Sequence, residues 1–121
     1  MNLRAANAYR RADLESAPKE QIVERLFERF LADVEAARVA ITACDIKGKA
    51  AAIDHALQIV SELAAALDHR AAPALAANLG SLYDFVSQLL SEANLTMKVD
   101  PLDACTRIME ELLTAFRNRP R

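Results

Sequence analysis

The residues of this chain best suited to metal binding or nucleophilic work are His55, His69, Cys44 and Cys105. Di-iron sites in helical bundles draw on Glu-x-x-His pairs, which set two ligands on one helix face. Here Ala52 stands three residues before His55 and Ala66 three before His69, so neither pair exists. Both histidines fall on one predicted helix, roughly 21 Å apart at 1.5 Å per residue, too far to share an ion. They are read as surface residues, and no metal or other cofactor is predicted. A histidine phosphotransfer domain remains an alternative, because His55 lies on a helix of a small acidic helical protein. Such domains resemble one another in a lysine three residues and a small residue four residues after the histidine. Gln58 and Ile59 occupy those positions, so the phosphate-stabilising cation is missing and a bulky side chain sits where a receiver would approach. The cysteines are far apart, lie in helical patterns and lack a histidine in any nucleophile motif. They are read as reduced, half-buried thiols. With no glycine-rich phosphate loop either, the chain is predicted not to be an enzyme.

What must be positioned is therefore an apolar surface. A chain of 121 residues supports one core. Alanine and leucine dominate, glycine occurs only at 48 and 80, and aromatics are few, a composition that fits helices rather than sheet. The net charge of -2 supplies no field for nucleic acid, although Arg117, Arg119 and Arg121 make the end locally basic. No run approaches the roughly 18 apolar residues of a membrane span, and the beginning carries charges where a signal peptide needs an apolar stretch. No nucleic-acid partner and no membrane insertion are predicted, and the cytoplasm is the expected location.

The pattern predicts an all-α, antiparallel four-helix bundle with a flexible N-terminal arm over 1–15, a bundle over 16–117 and a tail over 118–121. Ser16-Ala17-Pro18 marks the start of the first helix, 17–44, whose apolar face is Ile22, Val23, Leu26, Phe27, Phe30, Val34, Ala37 and Ile41. A short connection around Gly48 leads to the second helix, 50–69, with Ile53, Ala56, Leu57, Val60, Leu63, Ala64 and Leu67 on one face. Pro73 opens the third, 73–94, with Asn94 as its cap, and Gly80 points away from the core arc. Asp100-Pro101 caps and opens the fourth, 101–117, which buries Leu102, Cys105, Ile108, Met109, Leu112, Leu113 and Phe116.

On the third helix Leu75, Leu79, Leu82, Tyr83, Val86, Leu89, Leu90 and Ala93 fall within an arc of roughly 120°. Asn78 and Phe85 lie just outside one edge and Tyr83 marks the other. On the second helix Ile59 sits at an edge in the same way. Periodicity alone reads these edges as ordinary partial burial in a packed bundle, or as a surface for self-association.

These residues also carry a family likeness. Asn78-Leu79, Leu82-Tyr83-Asp84-Phe85-Val86, Leu89 and Ala93-Asn94 resemble the third helix of the FliS-type flagellin export chaperones, which reads Asn-Leu, Leu-Tyr-Asp-Tyr-Met, Leu and Ala-Asn at the same spacing. His55-Ala56-Leu57-Gln58-Ile59-Val60, Glu62-Leu63 and Leu67-Asp68 are similar to that family's second helix. Ile22, Val23, Leu26 and Phe27 match its first, and Tyr9 its N-terminal tyrosine. The chain departs from the pattern at Glu24-Arg25, at Glu28-Arg29 in place of Asp-Gly, and at Phe116 in place of tryptophan. The resemblance implies a cytoplasmic chaperone that binds the disordered C-terminal segment of flagellin, blocks premature polymerisation and presents the subunit to the flagellar type III export gate. It implies client contact at Ile59, Asn78, Leu82, Phe85 and Val86, with Tyr83 bordering a groove. Tyr9 would fold over the empty groove or dock on the export gate.

Overall fold

A computed structural model describes residues 3–119, with side chains described over 19–119. It is an antiparallel bundle of four helices, α1 (Leu3–Thr42), α2 (Ile46–Ala65), α3 (Pro73–Thr96) and α4 (Asp100–Arg117). Each helix packs most closely on two others, in the cyclic order α1, α2, α3, α4. The faces predicted from spacing meet in the middle. Phe30, Val34 and Ala37 of α1 pack with Ile53, Ala56 and Val60 of α2, Val86, Leu90 and Ala93 of α3, and Leu102, Cys105 and Met109 of α4, all essentially inaccessible to solvent. Each large side chain of this set contributes about 1.5–3 kcal/mol by leaving water. Burial pushes the Cys105 thiol up to about 12, so it stays protonated and behaves as a small apolar group whose Sγ lies 3.7 Å from the Val86 carbonyl.

Boundaries differ from expectation where local hydrogen bonds take over. The helical backbone of α1 begins at Leu3, ahead of the Ser16-Ala17-Pro18 start. Alanine, arginine, leucine and glutamate, all strong helix formers, fill most of that stretch. At its other end the helix stops at Thr42 and Cys44 takes a left-handed φ of 56°. The Asp45 amide then donates to the Ala40 carbonyl at 2.8 Å and the Cys44 amide to Ile41 at 3.0 Å, the paired bonds of a Schellman termination. Cys44 is thus an exposed turn residue, not a half-buried helical one. Asp45 is the N-cap of α2, accepting from the Gly48 amide at 2.9 Å, so that helix starts four residues before its predicted first turn.

The same helix also ends early, at Ala65 instead of His69. Asp68 Oδ1 accepts from the amides of Arg70 and Ala71 at 3.0 Å each, and this local turn competes with continued helix. Those two bonds hold the Asp68 carboxyl below its usual range. Pro73 opens α3 as expected, but the helix passes Asn94 and ends at Met97, again left-handed at φ 56°. Asn94 contributes its carbonyl instead, which accepts from the buried Lys49 ammonium at 2.8 Å. A cation there also suits the negative end of the α3 dipole. Asp100 is the first residue of α4, not its cap. Among the described residues no helix is long and apolar enough to cross a membrane.

Candidate binding site

At the end of the bundle where α2 and α4 finish and α3 begins, the four helices do not close. The α1 side chains Val23 and Phe27 form one wall. Leu63, Ala66 and Leu67 come from the end of α2 and the turn after it, and Leu75, Leu79 and Tyr83 from the first turns of α3. Leu112, Ala115, Phe116 and Arg119 complete the lining, at the i, i+3, i+4, i+7 spacing that puts them on one stripe of α4 and its continuation. Together they surround an apolar groove of about 460 Å³. Its cause is local. Because α2 stops at Ala65, Leu75 and Leu79 have no helix opposite them, and the small side chains Ala66 and Ala115 leave the space unfilled.

The groove's rim is polar. Arg119 stacks its guanidinium 3.9 Å above the Phe116 ring, donates to the Phe116 carbonyl and pairs with Glu20 at 2.6 Å. Two residues earlier, Arg117 pairs with Glu24 at 2.5 Å and Glu28 at 3.2 Å. Glu24 and Glu28, two of the departures from the family pattern, thus tie the end of α4 to α1. Phe116 lies against Phe27, ring centroids 6.2 Å apart and tilted by 38°, so a phenylalanine fills the place of the family's tryptophan in an aromatic pair. Asp68 also lines the opening.

The expected contact residues separate into three groups. Tyr83 lines the groove, its ring 4 % exposed, and burial raises its phenol above the ordinary value. Asn78, Leu82 and Phe85 form an outer stripe on α3, continued by Leu89, on the flank roughly 140–180° from Gly80 by the helix angle. Gly80 itself faces the turn after α2, because a Cβ there would meet Leu67 Cδ1 at 3.9 Å. Within that stripe Phe85 is 48 % exposed, Asn78 is exposed and Leu82 half-buried. Ile59 and Val86 belong to the core, at 4 % and 0 % exposure, so the reading of Ile59 as an open edge is corrected: the packed bundle covers it. Leu75 is corrected in the other direction, from core to 59 % exposed. The side chain of Tyr9 lies outside the described residues.

His55 is not free on the surface. Its Nδ1 lies 2.5 Å from Asp33 Oδ2, joining α2 to α1. No group of three His, Cys, Asp or Glu side chains that could hold a metal occurs among the described residues. Sequence reasoning missed Leu67, Leu79, Leu112, Ala115 and Arg119 as groove residues. The signal available for them was that the apolar stripes of α3 and α4 run past the position where α2 breaks.

Over residues 1–120 the chain matches the family described as flagellar protein FliS. It is 31% identical over 113 residues to the flagellar secretion chaperone FliS of Campylobacter jejuni, covering 93% of this chain and 88% of that protein. With the protein of the same name from Salmonella typhimurium it shares 27% identity over 103 residues, 84% of this chain and 76% of the other.

Proposed function

This chain belongs to the FliS family of flagellar proteins, and from that membership we propose that it is a cytoplasmic chaperone for flagellin. In this reading it holds the disordered C-terminal segment of flagellin, prevents the subunit from polymerising early and delivers it to the gate of the flagellar type III export apparatus. Relatives named as secretion chaperones support binding without catalysis. The observation that carries the reading is the apolar groove at the open end of the bundle, whose volume of about 460 Å³ falls within the ~300–1,000 Å³ range of pockets that bury a ligand. A disordered segment with helical spacing of its apolar residues gains buried surface by ordering itself there, and that gain offsets its lost conformational freedom. The outer α3 stripe through Phe85 offers a second strip for the same extended client.

Calorimetric titration with a peptide covering the C-terminal segment of the organism's flagellin tests this. The expected outcome is a one-to-one complex with gain of helix and a negative heat-capacity change. Absence of binding at micromolar concentration sinks the reading. Leu79→Asp, which places a charge on the groove wall, should abolish binding while leaving the helix content unchanged.

A further inference from the structure

The walls of the groove are not all held in the same way. Phe27, Leu63 and Tyr83, which line it from α1, α2 and α3, are themselves buried core residues. The α4 wall differs. Its last buried side chain is Leu113, yet the lining residues Ala115, Phe116 and Arg119 lie beyond that point, where every residue as far as Arg119 is exposed or half-buried. Core packing stops short of this segment. What fastens it is the Phe27–Phe116 contact together with ion pairs to α1, from Arg117 to Glu24 and Glu28 and from Arg119 to Glu20. The three glutamates follow one another at i, i+4 spacing, a rail roughly 12 Å long on one side of α1. None of the three lines the groove.

Exposed ion pairs add little to the stability of a fold, because water solvates the separated charges almost as well. On a segment that has few other contacts they act differently. They set the fraction of molecules in which that segment is in place. An apolar client depends on that fraction, since Ala115 and Phe116 supply part of the surface it buries and apparent affinity falls in proportion to the competent population.

We propose that Glu24 and Glu28, acting through Arg117, are positioning residues for the α4 wall, so that client affinity depends on an ionic clamp outside the groove. This rests on the flagellin-binding reading above and adds the element that keeps the site formed. Capture by an apolar groove then weakens as salt screens the clamp.

The test uses the full chain, the flagellin peptide described above and the double variant Glu24→Gln/Glu28→Gln, whose substitutions leave the groove lining intact. At low salt the variant should bind about fivefold more weakly than wild type, and in roughly 1 M sodium chloride the two affinities should converge. Amide exchange over residues 115–119 should quicken in the variant while that of Met109 and Leu113 does not, and the melting temperature should not change. Reversing the whole clamp, as Glu24→Arg/Glu28→Arg/Arg117→Glu, should restore both affinity and protection. If wild type and the double variant bind equally well, the chaperone reading stands and the clamp proposed here is wrong. A loss of affinity that is matched by a fall in melting temperature, or that charge reversal fails to recover, also overturns it. If wild type does not bind the peptide, the flagellin reading falls, and unchanged exchange over 115–119 in the variant separately overturns the clamp.

Discussion

The two ends of this bundle are built differently. At the end formed by the α1–α2 connection and the finish of α3, every local device points inward: a Schellman termination, the Asp45 cap, and the Lys49 ammonium seated on the Asn94 carbonyl. At the other end α2 stops early, α4 is held to α1 by exposed arginine–glutamate pairs, and apolar side chains line an open groove. One end secures the fold, and the other keeps apolar surface available. The difference teaches that a small helical protein can devote part of its length to recognition without loosening its core, provided the two tasks are separated along the helix axis.

The comparison breaks most visibly at leucines on the same helix. Leu90→Ala, in the closed core, should cost about 2–5 kcal/mol of stability in denaturant unfolding. Leu79→Ala, about three turns away on the groove wall, should cost less than half as much yet weaken peptide binding by tenfold or more. Equal losses of stability would mean that the groove is part of the core.

A smaller effect separates the two kinds of cation. Lys49→Ala removes a part-buried charged hydrogen bond and should cost about 1–3 kcal/mol. Arg117→Gln breaks two exposed ion pairs, and its unfolding midpoint should not move measurably.

The smallest and sharpest contrast is between the two glycines. A Cβ at Gly48 would lie 2.8 Å from Asp45 Cγ, so Gly48→Ala must displace the cap and should destabilise by about 1 kcal/mol. At Gly80 the added methyl meets only Leu67 at 3.9 Å, and neither glycine has positive φ. Gly80→Ala should therefore stabilise by about 0.5–1 kcal/mol through helix propensity. Opposite signs in thermal melts would bear out the contrast.

Much of this was legible in the chain. The spacing of Phe27, Phe30 and Val34, of Ile53, Ala56 and Val60, and of Val86, Leu90 and Ala93 predicts the faces that the bundle buries. Phe85 and Asn78 stood out at the edge of their stripe and are exposed. The turns were less legible, because Cys44 and Met97 take left-handed conformations that sequence would assign to glycine or asparagine. Local backbone bonds back into the preceding helix close those turns, with no residue type marking them in advance.

By itself, then, the sequence determined four amphipathic helices, their order and the residues at the centre of each apolar face, since angular position on a helix depends only on spacing. Only the tertiary structure decided which edge residues stay open. Ile59 was read at an edge and Leu75 in the core, yet Ile59 is covered and Leu75 is not, because coverage depends on how far the neighbouring helix extends. Here the Asp68 turn ends α2 before it can reach the first turns of α3, and the groove is the consequence.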